Sequence, residues 1–300
     1  MNKRQLSVEE MEGSLVRFGD VQSQSAKLVS VIATGGAEGG ARIAAAHEFD
    51  LAFVRAPASS IERHRVESVE VLMPVDGACE LVWGEGDADS LVLEASDIAV
   101  LPAGLERGLS SFDEQDVQVL SVRGDAAFID RLPTGEPRVV RFNELAPSTQ
   151  GFIDSRIEGY ERKIFTALGP GVTDSSDASS AIAEAYGFNL SFVECDHGKG
   201  PVLHRHPTSE VFVPMTGRWR FVYNDDESGA VEVGPGDVLS VPVGVMRRFV
   251  NLSDDPSLVF VVIGGNDPGT IEFPDEIIEQ ARETGFVFDE DGRLVDLTRS

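Results

Sequence analysis

The fold class predicted by this sequence is all-β, as two tandem small antiparallel β-barrels with few helices and a C-terminal helix. Three observations predict it. First, subtracting 140 from positions in the second half recovers the first: His204 falls on His64, Glu210 on Glu70, Gly217 on Gly77, Pro242 on Pro102, Gly244 on Gly104 and Arg247 on Arg107. A constant offset leaves no room for insertions and means two copies of one folding unit. Second, short runs rich in Val, Leu, Ile and aromatic residues alternate with Gly, Pro and Asp turns, the pattern of sandwiches and barrels rather than of a parallel α/β sheet. Third, helical signal is confined to the edges of the chain.

In the first copy the strands are expected at 81–83, 91–93, 98–101 and 117–122. The second copy answers at 221–223, 231–233, 238–241 and 258–262. Residues 124–150, with Pro133, Gly135, Pro137 and Pro147, resemble a connection, which places a domain boundary near 145 and domains at 1–145 and 146–300. The stretch from Thr173 to Ala185 is expected as an exposed loop running into a short helix. After Pro274, acidic Asp275 and Glu276 suit a helix N-terminus, Ile277, Ile278 and Ala281 form an apolar stripe, and Gly285 stops the helix.

Composition narrows the function classes. A 300-residue chain with 42% hydrophobic and 25% charged residues is expected to be soluble and globular. The formal net charge of −26 argues against nucleic acid and anionic membrane surfaces as partners. Two cysteines, Cys79 and Cys195, are too few for a disulfide framework and are not spaced as a metal pair, so both are expected as inert buried thiols. The N-terminus lacks an apolar segment of signal-peptide type and the longest apolar run, 258–264, is too short to span a bilayer, so a cytoplasmic setting is expected. Gly35, Gly36, Gly39 and Gly40 do not sit between a strand and a helix as a phosphate loop requires.

The copies differ at one chemically decisive place: His206 of the second is Val66 in the first. Alternate residues of a strand share a face, so His204 and His206 project together while Arg205 points the other way. Glu210 follows at a distance that lets it join them. Two imidazoles and one carboxylate form a facial ligand set with open positions, suited to Fe(II) and compatible with Mn, Ni or Zn. Glu70 and Arg107 recur as Glu210 and Arg247, so a Glu–Arg pair inside each barrel, with no metal at all, is the competing reading. His197 is expected as a solvent-facing turn residue, His47 and His64 as half-buried histidines, and Arg248 as a surface residue. Phe212, Phe221, Tyr223 and Phe249 are candidates for the walls of a pocket.

Gly198, His204, His206, Glu210 and Gly217, followed by Gly236, Pro242, Gly244 and Asn251, resemble the two sequence blocks of the cupin superfamily, G-x5-H-x-H-x3-E-x6-G and G-x5-P-x-G-x2-H-x3-N. The one departure is Arg247, where the family carries its last histidine. The first copy matches at His64, Glu70, Gly77, Pro102 and Gly104 but departs at Val66, Ser96, Arg107 and Ser111. The resemblance implies a bicupin with a metal held by His204, His206 and Glu210 in the second barrel and none in the first. A family member would add a fourth ligand at 247, where arginine stays protonated and binds no metal. Arg247 is instead expected to weaken metal affinity, and to act in catalysis by orienting a substrate anion.

Two classes of function follow. One is an oxygenase-type enzyme with a single divalent metal, acting on a small organic acid, aromatic ones included. The other is a non-catalytic module that binds or senses a small ligand, with a metal-independent isomerase or lyase between them. Barrels of this kind pair through edge strands, so a homodimer or larger homo-oligomer is expected.

Overall fold

The computed structural model describes residues 3–58, 60–84, 86, 89–112, 115–124, 135–171, 179–290 and 293–299. The chain forms two compact units, one of Val16–Leu145 and one of Ala146–Ser300 together with Met1–Leu15.

In the first unit a six-stranded sheet has the order Arg138–Val140, Ile98–Leu101, Glu70–Pro74, Val117–Arg123, Asp50–Ala56, Leu28–Ile32. A four-stranded sheet has the order Glu62–Arg65, Glu106–Ser111, Ala78–Trp83, Asp89–Glu94. Pairing in both is antiparallel. Inward residues of the two sheets, among them Leu72, Leu101 and Val119 from one and Leu81, Leu93 and Leu109 from the other, form a single apolar core. Each such side chain contributes roughly 1.5–3 kcal/mol on burial, which holds the two sheets face to face.

The second unit repeats the plan. Its larger sheet has the order Leu15–Val16, Val238–Val241, Glu210–Pro214, Ser257–Gly264, Phe188–Cys195, Lys163–Leu168, and its smaller sheet Gly229–Val233, Trp219–Tyr223, Arg247–Asn251. The offset of 140 survives in three dimensions: Glu70–Pro74 corresponds to Glu210–Pro214 and Ile98–Leu101 to Val238–Val241, end for end. The core here is aromatic. Phe212, Phe221 and Phe249 pack with ring centroids 4.7–5.3 Å apart, and Trp219 lies 5.7 Å from Phe249. The indole nitrogen of Trp219 donates to Thr216 O at 2.9 Å, so the buried ring keeps its polar atom satisfied.

The C-terminal helix spans Asp275–Glu283 and buries Ile277 and Ala281, with Ile278 packed at the margin of the core. Its end is followed by Gly285 at φ +88°, where a glycine backbone reverses freely. Three differences from the sequence reading stand out. Residues up to Leu15, placed by sequence with the first barrel, belong to the second. Leu6 and Met11 enter its core, and Leu6 exchanges two hydrogen bonds with the Asn224 side chain. Part of the expected connection is structural: Arg138–Val140 pairs with Ile98–Val100 as an edge strand, while 125–134 lie outside the described residues. In the expected loop and helix after Thr173, 172–178 also lie outside them, and 179–185 form no helix but bridge Leu168 through Ile182. Among the described residues no helix is long and apolar enough to cross a membrane.

Candidate metal centre

His204 sits opposite Arg247 in a two-hydrogen-bond bridge, His204 N to Arg247 O at 3.0 Å and Arg247 N to His204 O at 2.8 Å. This bridge extends the smaller sheet and sets the phase of the segment, so His206 follows on the same side. Their rings stand 5.2 Å apart and nearly perpendicular. Glu210 opens the strand Glu210–Pro214, locked between Val241 and Ile263. Arg205 points away from the two histidines, as the alternation requires, yet it is buried: its guanidinium meets Glu272 at 2.9 Å beneath the segment leading to the C-terminal helix.

Each of His204, His206 and Glu210 offers a ligand atom within 4.8 Å of the others, and all three are buried. Burial first, and the Arg247 charge second, depress both imidazoles: His204 to about 3 and His206 well below its usual value. Both rings are therefore neutral at pH 7, the form that donates a lone pair. His204 Nδ1 lies 2.7 Å from Val202 O, an atom that can only accept, so Nδ1 carries the proton and Nε2 is left with the lone pair. The Nδ1 of His206 has no hydrogen-bond partner, and its Nε2 stands 3.7 Å from Glu210 Oε1, beyond bonding reach. A buried imidazole without hydrogen bonds is costly, and a cation between these groups would satisfy one side of it. The donor set fits a divalent transition metal.

Arg247 is fully buried. Its Nε donates to Glu210 Oε2 at 2.9 Å and its Nη1 to Val245 O at 3.0 Å, while Nη2 lacks a partner. Burial pushes the Glu210 carboxyl up, and Arg247 works against that shift. The arginine thus compensates one carboxylate oxygen and leaves Oε1 turned toward His206.

Beside the three ligands lies a cavity of about 50 Å³. Its walls are largely apolar: Ile164, Val193, Val261, Ile263, Ile271 and Phe273 contribute. Of the four aromatic residues expected there, only Phe249 lines it; Phe212, Phe221 and Tyr223 belong to the core. Arg247 is not among the lining residues; its Nε is turned to Glu210. A different cation is: Arg162, which local sequence reasoning missed. The available signal was its place, two residues before Ile164 and just ahead of the strand Lys163–Leu168.

In the first barrel the corresponding place is closed by charge. Glu70, with no exposure, meets His64 Nε2 at 3.0 Å, Arg107 Nη2 at 2.9 Å, Ser121 Oγ at 2.6 Å and Arg123 Nε at 3.1 Å. Burial alone would raise the carboxyl; the His64 hydrogen bond and the two arginines outweigh it and hold Glu70 at about 2. With Val66 in place of a second histidine, this barrel has an ion-pair cluster instead of a ligand set.

The remaining candidates behave as ordinary residues. His197 is exposed with Nδ1 2.9 Å from Ser253 O, His64 is half-buried, His47 is 8% exposed, and Arg248 pairs with Glu227 at 2.7 Å. Cys79 and Cys195 are free and buried, and burial pushes both thiols to about 12, so neither is a reactive thiolate.

Residues 191–264 match the family profile described as Cupin domain. No curated protein sequence shows a significant match. Among solved structures, the chain is similar to oxalate decarboxylase from Lactobacillus farciminis in its formate complex, with a TM-score of 0.59, 15% identity, and coverage of 88% of this chain and 89% of that one. A variant of oxalate decarboxylase from Bacillus subtilis superposes with a TM-score of 0.57 and 15% identity, covering 92% and 88%. At such identity the likeness is one of fold.

Proposed function

We propose that the chain is a tandem of two cupin-type barrels and that its second barrel is a metal-dependent enzyme acting on a small aliphatic acid. The observation that carries this reading is the convergence of one ligand atom from each of His204, His206 and Glu210 beside a largely apolar cavity. The structural neighbours are oxalate decarboxylases, which agrees with a small acid as substrate. A cavity of about 50 Å³ has room for roughly four waters, against ~150 Å³ for one that takes benzene, so aromatic acids are disfavoured.

The three residues would hold one divalent ion, Fe(II) first, then Mn, Ni or Zn. Bound there, it would supply Lewis acidity and, if redox-active, one-electron chemistry with O2, which makes an oxygenase-type reaction our first choice. The chain's own contribution is threefold. The Val202 carbonyl holds His204 in the tautomer that presents Nε2. Arg247 fixes Glu210 through a hydrogen bond and opposes the rise that burial imposes on that carboxyl, acting through the carboxylate. The apolar walls exclude water and strengthen every charge interaction inside. Association of identical chains through edge strands such as Leu28–Ile32 is part of the same proposal.

Elemental analysis of tag-free protein, expressed with iron, manganese, nickel and zinc, tests the centre. Wild type should hold close to one metal per chain and His204→Ala/His206→Ala almost none; equal occupancy would reject it. Anaerobic iron loading, then oxygen uptake and CO2 release with two- to four-carbon acids, tests the chemistry. A second reading, a non-catalytic acid-binding barrel, draws on the shared Glu–Arg pair of both barrels. It prevails if the loaded wild type turns over no acid faster than His206→Ala does.

A further inference from the structure

Arg162 enters the cavity with a geometry that the three ligands do not explain. Asp154, with no solvent exposure, receives Arg162 Nη1 at 2.9 Å on Oδ2 and Nη2 at 2.8 Å on Oδ1. Nη1 also donates to Tyr160 O at 2.9 Å, and the guanidinium lies over the Phe152 ring at 4.8 Å. Asp154 Oδ2 accepts in addition from Val202 N at 3.1 Å, tying the pair to the segment that carries His204. A guanidinium has five N–H groups. Asp154 and Tyr160 use three, all on the Nη atoms, and Phe152 covers a face. What is left without a partner among the described residues is the side-on edge, one N–H on Nε and one on Nη2. Two parallel donors on one edge are the fork that matches a carboxylate.

We propose that Arg162 is the anion-binding residue of the second barrel's cavity, gripping one carboxylate of a short, otherwise apolar acid through Nε and Nη2, with Asp154 as its positioning residue. The inference rests on the reading of this cavity as a substrate site but needs no metal. One arginine anchors one carboxylate, and the apolar walls favour an alkyl body over a second charge. Asp154 keeps the arginine's end-on edge occupied, so a ligand finds the side-on edge already oriented and gains affinity by preorganisation.

The test uses EDTA-dialysed protein and calorimetric titration with sodium propionate, with propionamide and sodium chloride as controls. Wild type should bind propionate, and propionamide should bind at least about tenfold more weakly. Arg162→Lys, which keeps the charge beside Asp154 but loses the fork, should weaken propionate by roughly tenfold or more. Asp154→Asn/Arg162→Met removes both charges of the pair together and should abolish binding, giving a second variant should the lysine protein fold poorly. Propionate binding within twofold of wild type in either Arg162 variant would overturn the proposal. So would propionamide binding as tightly as propionate. A protein that takes up no metal yet binds propionate through Arg162 refutes the metal centre and leaves the anchor standing.

Discussion

At the scale of single residues, Arg247, at the place where the cupin sequence block carries a histidine, is a hydrogen-bonded partner of the Glu210 carboxylate. Arg247 has no exposure, and its Nε lies 2.9 Å from Glu210 Oε2; Arg107 and Glu70 repeat the arrangement at 2.9 Å. Removing one member of a buried pair leaves the other charge uncompensated, at a cost of about 3–5 kcal/mol. Urea denaturation of metal-free Arg247→Leu should show a loss of that size, and Arg247→Leu/Glu210→Leu should recover much of it. A loss below about 1 kcal/mol in the single variant would mean that Glu210 simply protonates and that the pair is dispensable.

At the scale of elements, the turns between strands decide where the site residues come to rest. Gly217 joins Glu210–Pro214 to Trp219–Tyr223 at φ +74°, and a Cβ there would lie 2.1 Å from Ser257 Oγ. Gly104 of the first barrel has nearly the same φ, +73°, with open space around it. Gly104→Ala should therefore cost only the left-handed penalty of about 1–2 kcal/mol. Gly217→Ala should cost at least about 2 kcal/mol more, because Ser257 must give way and its 3.2 Å bond to Asp255 O with it. Thermal denaturation of the two variants side by side checks this; equal losses would mean that the turn relaxes around the new methyl. The strands themselves were legible because period-two apolar runs and glycine turns are local signals. The strand Arg138–Val140 was not, since its Arg-Val-Val is too short to stand out and forms only against Ile98–Val100.

For the whole molecule, stability against acid depends on buried carboxylates set against a formal net charge of −26. Glu70 is held at about 2 in the folded barrel, against an ordinary carboxylate value of 4.5. A depressed carboxyl contributes stability that is fully present above its unfolded pKa and is lost as pH falls through the folded one. Its share, on the order of 3 kcal/mol, should fade between about pH 5 and pH 2. Denaturant titrations of wild type and Glu70→Gln across that range should converge as pH drops, whereas a constant gap would show that Glu70 does not titrate between the two states. Surface carboxylates act in both proteins alike, so the difference isolates the buried one.

The sequence by itself determined the two-barrel plan, the register of the copies and which residues stand as candidate ligands. A repeat offset, strand periodicity and the spacing of His204, His206 and Glu210 are written in local order. What Arg247 does was open, because its spacing serves a substrate clamp and a Glu210 partner equally well, and only packing shows its Nε bonded to that carboxylate. Asp154 and Arg162 were invisible as a pair, eight residues apart on an irregular stretch and meeting only once the barrel closes. The attachment of the first fifteen residues to the second barrel was likewise a tertiary decision. Leu6 and Met11 go where an apolar surface is left to cover and where Asn224 waits to bond the backbone, and nothing local in their own segment says which barrel offers that.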